Sequence, residues 1–423
     1  MKKFFFALLI LMVFTAGALV GPDIEKLTGN RASADGLQKQ MGLFWEAWDA
    51  LNENYYKPIE TPPQDIVMGA IGGMIGSLND RFTEFSPPTQ SRNMTEQFQG
   101  EFGGIGILVD FPNNQMTVQT VFPGTPAEKA GMRPGDIIVA IEGKSVNAMK
   151  PLEAVEAIRG KVGTPITLSI WHEGMLEPKI VTLDRAVVEI PSVTDARILK
   201  DHIGYFKILE FNRNTTEQLT KVLEDFKSKG VTGVVMDLRY NPGGIFDVGV
   251  DVADLFLAKG KIVTLKTKTR PDEVHEAKPG GAGESFQVVI LVNRYSASAS
   301  EIVSAALHDN GRAVLVGEKT FGKGVVQVMV PLENNASMMI VTGRYYTPKG
   351  EDINTKGIEP DVSLEMDPKK LTSEKAQALF KQLQDLSRKE EDTRTQLAKE
   401  MDDEILNKGQ SVLESKAQPE KPA

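Results

Sequence analysis

Between residues 186 and 365, apolar runs of strand length alternate with stretches of helical spacing, and tight turns separate them. Strand candidates are 202–208, 233–238, 286–292, 313–316, 325–330 and 338–343. Helix candidates are 216–229, 248–256 and 299–308. Strand, turn, helix in repetition demands a layered sheet, α/β or α+β. Residues 98–185 differ. Short β-rich runs alternate there with Gly/Pro turns, and one helix at 152–158 interrupts them, which predicts a small β domain. Residues 36–97 read as helical. Leu37, Met41, Phe44, Trp45, Trp48 and Leu51 form one stripe at three- and four-residue spacing. Pro62-Pro63 breaks the run, and 66–78 reads as a second helix. Residues 366–423 are charged, with sparse apolar positions, and read as a solvated helical tail that ends disordered.

Composition narrows the chemistry. The 423 residues carry 48 Lys+Arg against 57 Asp+Glu, a net charge of −9 that argues against a nucleic-acid partner. With no cysteine, disulfides, thiolate nucleophiles and cysteine metal sites are excluded. The four histidines, His172, His202, His275 and His308, have no metal-binding spacing, so no histidine metal centre is expected. Residues 1–21 read as a signal peptide or N-terminal membrane anchor: Lys2 and Lys3 precede an apolar run, and Ala16-Gly17-Ala18 supplies small residues. The working protein is expected to be exported, either periplasmic or attached to the outer face of the inner membrane.

Residues 292–302 hold the strongest local signal. A buried-type strand ends at Asn293, and Ser296-Ala-Ser298-Ala-Ser300 leads into a helix. This pattern exposes a serine at a helix N-terminus, where free N–H groups favour an anion. Taken alone, simple capping, with Glu301 completing a capping box, is the better reading of it. An activating base is needed. His308 lies ten residues along the same helix, about 15 Å away. A lysine kept neutral by burial is the alternative, and Lys323 between Gly322 and Gly324 offers one. If Lys323 opens the next strand, Val325 and Gln327 share its face, and Gln327 can orient the amine. Gly317 to Lys323 imitates a phosphate-binding loop, but Gly324 stands where Ser/Thr is required and a strand follows. Asp237-Leu-Arg-Tyr-Asn-Pro-Gly243-Gly244 follows another apolar strand. Its glycines can turn N–H groups toward a common point, as half of an oxyanion hole with Ala299, although Asn-Pro-Gly-Gly is also ordinary turn chemistry.

These blocks together resemble the C-terminal processing peptidases, also called tail-specific proteases. The match includes Val316-Gly-Glu-x-Thr-Phe-Gly-Lys-Gly-x-x-Gln327 and Tyr346-Thr-Pro. The resemblance implies Ser298 as nucleophile, Lys323 as base, Gln327 in support, and Gly243, Gly244 and Ala299 as oxyanion donors, a set that needs no metal or organic cofactor. Asp309 matches a supporting position, expected to be structural. Residues 98–185 resemble a PDZ domain. Phe102 to Ile107 matches its carboxylate-binding loop, and Gly124 to Asp136 its turn-rich stretch. A peptide C-terminus would add as a strand beside Gly104, Ile105, Gly106 and Ile107. Val155 and Ile158 would line the pocket for the last side chain, and Arg159 would couple occupancy to the active site. The expected fold is multidomain α+β. A helical N-terminal region (36–97) precedes the PDZ domain, and an α/β, crotonase/Clp-like serine peptidase core (186–365) precedes the tail. Expected partners are proteins with apolar C-termini; the resemblance also admits a homodimer through the N-terminal helices and an adaptor protein. Two rivals remain at this point: an inactive PDZ scaffold or chaperone, and an esterase pairing Ser298 with a histidine.

Overall fold

A computed structural model describes residues 31–172, 174–199 and 202–363. The expected leader and the charged tail lie outside the described residues. The chain divides after Ile71 into two compact units. The first holds helix α1 (Arg31–Asn54) and most of α2 (Pro63–Gly76). Pro63 opens α2, where a missing N–H costs nothing. Met41, Trp45 and Leu51 of the expected stripe are exposed.

The second unit begins with a departure from expectation. Residues 84–86, read as helical, form strand β1 (Glu84–Ser86). Pairing with a distant strand outweighs local helical spacing here. Helix α3 (Pro88–Gln99) follows, closed by Gly100 at φ 73°. The small β domain then contains β2 (Glu101–Gly104), β3 (Ile107–Asp110), β4 (Met116–Val121), α4 (Pro126–Lys129) and β5 (Ile137–Ile141). After these come β6 (Lys144–Ser145), α5 (Pro151–Ile158), β7 (Pro165–Trp171), β8 (Lys179–Asp184) and β9 (Ala186–Glu189). Its antiparallel sheet runs β3-β4-β5-β7-β8, with β6 on β5, so β3 is an edge. Alternation on β7 buries Ile166, Leu168 and Ile170 against Ala154 and Ile158 of α5. Strands β2 and β9 pair with each other as a two-stranded ribbon.

The larger domain is built on a six-stranded sheet, β10-β11-β12-β15-β16-β19. Its strands are β10 (Val193–Ile198), β11 (Ile203–Ile208), β12 (Gly233–Asp237), β15 (Gln287–Val292), β16 (Ala313–Gly317) and β19 (Val362–Ser363). All pairings are parallel except β10–β11. Helices α6 (Thr215–Ser228), α7 (Phe246–Asp254) and α8 (Ala299–Asp309) cover one face. Val234, Met236, Val288, Ile290 and Leu315 meet their Leu219, Leu223, Val252, Ile302 and Val303. The alternate residues Val235, Val289, Leu291 and Val316 pack on the opposite face. A second sheet runs β1-β18-β13-β14, with β17 also on β18. It comprises β13 (Lys261–Thr267), β14 (Glu273–Glu276), β17 (Val325–Pro331) and β18 (Ser337–Tyr346) in addition to β1. Strands β1, β6, β9, β10, β13, β14 and β19 lie outside the strand candidates of the sequence. Among the described residues no helix is long and apolar enough to cross a membrane.

Candidate active site

Three loops meet beyond the C-terminal ends of the parallel strands, where open sheets of this kind place their sites. The first follows β15. Asn293 Oδ1 accepts the N–H groups of Tyr240 and Tyr295 and so ties this loop to the one after β12. Ser296 donates its hydroxyl to the Leu238 carbonyl (2.8 Å) and Ser300 to the Asn241 carbonyl (3.0 Å). Those two hydroxyls are spent on the scaffold. Half-buried Ser298 caps α8 with φ 55° and ψ −115°, a conformation that non-glycine residues rarely adopt.

The second loop carries Lys323, and one carboxylate joins it to the first. Glu301 is fully buried. Its Oε1 accepts the Thr320 hydroxyl (2.5 Å) and the Gly322 N–H (2.8 Å). Its Oε2 accepts the N–H groups of Lys323 (2.9 Å) and Ser298 (3.0 Å). Burial pushes the Glu301 carboxyl above its ordinary range, and these four donors pull it back. On the other side, the buried Tyr345 hydroxyl lies against the Lys323 and Ser298 carbonyls, sharing its one proton between them. The backbones of Ser298 and Lys323 are therefore clamped together twice. Burial holds the Lys323 amine below the usual lysine range, opposed by Glu84 and then Glu301. Gly322 and Gly324 are required because the backbone of residues 354–357 passes so close that a Cβ at either would come within 2.8 Å of it.

Gln327 departs from the expected alternation. Strand β17 begins only at Val325, and a register shift separates Val326 from Gln327, which re-phases the side chains. The Gln327 amide donates to the Phe82 carbonyl. Among the described residues it has no hydrogen bond to Lys323.

The third loop supplies amides. Gly243 (φ 101°) is so close to the serine that a Cβ there would lie 2.6 Å from that of Ser298. Its own N–H is donated to Asn241 Oδ1 (2.9 Å), which removes it from the expected oxyanion donors. The N–H groups of Gly244 and Ala299 have no partner among the described residues. Gly243→Ala is expected to cut kcat at least 100-fold with KM less affected, since the methyl must displace Ser298 or the Ala299 amide. Steady-state kinetics on a peptide substrate check this.

Other expected residues lie elsewhere. Asp309 is at the far end of α8, holding the Lys349 N–H and side chain and His308. It is not brought to Ser298. No described contact joins any histidine to Ser298. His202 immediately precedes β11, at the end of that parallel strand opposite to the three loops, and His172 pairs with Asp136 (2.6 Å) in the small domain. In that domain Gly104 ends β2, Ile107 opens β3, and Ile105 and Gly106 form the turn between. The Ile105 and Gly106 carbonyls are taken up by the Ala127 and Phe122 N–H groups, while their own N–H groups have no partner among the described residues. Val155 is half-buried, but Ile158 belongs to the domain core. Arg159 pairs with Glu96 of α3 (3.2 Å) and lies over the Phe102 ring. Sequence reasoning missed the bridging role of Glu301, although its place three residues after Ser298 was visible. It also missed Tyr345 and Phe82, which no local pattern marks.

The family model for peptidase family S41 matches residues 202–364, and the PDZ domain model matches 117–172. The chain is 36% identical over 363 residues to a carboxy-terminal-processing protease of Bartonella bacilliformis, covering 83% of this chain and 82% of the relative. It is 34% identical over 370 residues to the carboxy-terminal processing protease CtpA of Bacillus subtilis, covering 86% and 78%. A carboxyl-terminal-processing protease of a Synechocystis strain is 32% identical over 358 residues, covering 80% and 84%. A PDZ domain, a peptidase sheet and likeness along most of both chains leave one assignment: the chain belongs to peptidase family S41, as a serine-type carboxy-terminal processing protease.

Proposed function

We propose that the protein is an exported serine endopeptidase that grips the apolar C-terminus of a protein in its PDZ domain and cleaves the tail with a Ser298–Lys323 pair. The observation that carries this reading is the double clamp by Glu301 and Tyr345, together with a lysine amine depressed by burial. Neutral Lys323 takes the Ser298 proton as Oγ attacks the scissile carbonyl. The Gly244 and Ala299 N–H groups receive the oxyanion. The Lys323 ammonium then protonates the leaving amine. With Lys323 again as base, water hydrolyses the acyl ester and Ser298 is restored.

The PDZ reading is supported by edge strand β3, which leaves one side open for an added peptide strand. The N–H groups of Ile105 and Gly106 suit the terminal carboxylate. Exposed Leu108 and Leu152, with Val155, offer apolar contact. Lys2, Lys3 and the apolar run after them support export. The exposed Met41, Trp45 and Leu51 support burial of α1 against a second copy.

The test is digestion of an unfolded protein with an apolar C-terminal tail. Cleavage is expected to vanish in Ser298→Ala and to weaken at least tenfold when the tail is amidated. Tail binding without turnover by the parent would instead favour a PDZ scaffold. Cleavage retained in Ser298→Ala would end the serine reading.

A further inference from the structure

Residues 80–86 precede the PDZ domain, yet they lie against the base. Asp80 Oδ1 accepts the Phe82 N–H (3.0 Å), and Oδ2 accepts the Thr83 hydroxyl (2.7 Å). Those bonds hold the Asp80 carboxyl below its usual range. Thr83 in turn accepts the Val341 N–H of β18 (3.2 Å), and β1 pairs with the same strand from Glu84↔Met339 to Ser86↔Ser337. The turn is thus riveted to the sheet that carries β17. From it, the Phe82 carbonyl accepts the Gln327 amide, and the Phe82 ring centroid lies 5.3 Å from Lys323 Nζ. No other segment touches both side chains in this way among the described residues.

We propose that the turn at residues 80–84 is a wall of the active site, and that Asp80 is a positioning residue that holds Phe82 on Gln327 and Lys323. The inference rests on the Ser298–Lys323 reading. A carbonyl can be met only by a donor, so Gln327 must present Nε2 to Phe82. Its Oε1 is then the amide's remaining polar atom, an acceptor suited to a lysine N–H. The expected alternation along β17 fails at the register shift, and the Phe82 carbonyl takes over its task of orienting Gln327.

The ring acts on the amine in two opposed ways. A cation above an aromatic face is favoured as the ammonium, whereas exclusion of water favours the neutral amine. Desolvation is the largest influence on Lys323, so the cover as a whole lowers its affinity for protons. The charged groups facing Lys323 are Glu84 from β1 and Glu301 from α8, and both favour the ammonium. Arg81 lies over the Phe82 and Phe321 rings, at 4.5 and 5.3 Å. Opening the wall should therefore raise the pH at which Lys323 becomes a base.

The experiment is the pH profile of kcat/KM for cleavage of one peptide by the parent, Phe82→Ala, Phe82→Leu and Asp80→Asn. Phe82→Ala is expected to move the acid limb up by about one pH unit, about tenfold less activity at a fixed pH on that limb, with kcat rather than KM affected. Phe82→Leu keeps an apolar cover and the carbonyl, and should return the limb most of the way to the parent's. Asp80→Asn, which loosens the turn without removing Phe82, should move it part of the way. If Phe82→Ala does not fold, the Asp80→Asn profile decides. Limbs that coincide with the parent's, with activity falling only as folded protein falls, overturn the inference. Lys323→Ala separates the two levels. Activity retained there would remove the Ser298–Lys323 reading itself, whereas a dead Lys323→Ala beside an unmoved limb removes only the role of the turn.

Discussion

Lys323→Met should lower kcat for peptide hydrolysis by about 10³-fold or more and yet leave the protein at least as stable as the parent at neutral pH. Methionine preserves length and apolar bulk but has no basic nitrogen. The stability half follows from the depressed lysine. Its folded pKa lies below the ordinary lysine value of 10.5, so the folded state holds the proton less well than the unfolded chain. That destabilising contribution is fully present below the folded pKa. It fades as pH rises through the folded pKa toward the unfolded one. Methionine removes it, so the melting temperature of the variant should match or exceed the parent's at pH 7, with the gap closing in alkaline solution. Adding Ser298→Ala should cost little further activity, because the two residues act as a unit. Melting curves at two pH values and single-turnover kinetics check both halves. Ordinary turnover in the methionine variant would remove lysine from the mechanism.

Glu301→Ala should be the most damaging single change at the site. Its carboxylate accepts from Ser298, Thr320, Gly322 and Lys323, and truncation strands all four donors in the interior. A loss of about 3 kcal/mol or more is expected, since each buried donor left unsatisfied costs about 1–3 kcal/mol. Glu301→Gln separates stability from geometry. It keeps the shape and one acceptor oxygen, but its NH₂ must face donors. It should cost about 1–3 kcal/mol, and kcat should fall by much more than the folded fraction, since Ser298 and Lys323 are no longer drawn to a common atom. Denaturant titration and kcat on the folded protein measure this. A Glu301→Gln protein with parental stability and rate would show that the clamp does nothing.

The sequence was legible where local pattern and buried chemistry coincide. The valine-rich runs that became β12, β15 and β16 are short and mostly apolar, and are bounded by turn residues. The small residues around Ser298 and the Gly243-Gly244 turn stood out because each lies where an apolar strand ends, although capping and turn chemistry use the same residues. Strand β13 carries a comparable run, Lys261–Thr267, and it was readable but overlooked. Other features depend on partners far along the chain. The 84–86 strand exists through β18, and the Gln327 amide meets a carbonyl 245 residues away. The register shift before Gln327 overturned a correct rule of alternation, because a bulge has no reliable signature in one strand. The commitment of the Gly243 N–H to Asn241 likewise depends on a side-chain rotamer that the motif does not specify.

The clamp around Ser298 and Lys323 grips main-chain atoms. Glu301 takes their amides and Tyr345 their carbonyls, and none of these bonds uses the Ser298 or Lys323 side chain. The site behaves as a mount into which reactive groups are fitted. Exchange of the hydroxyl for a thiol at 298, or of one amine for another at 323, leaves the mount intact. A lineage built on this frame can therefore change or lose its chemistry without first rebuilding its architecture.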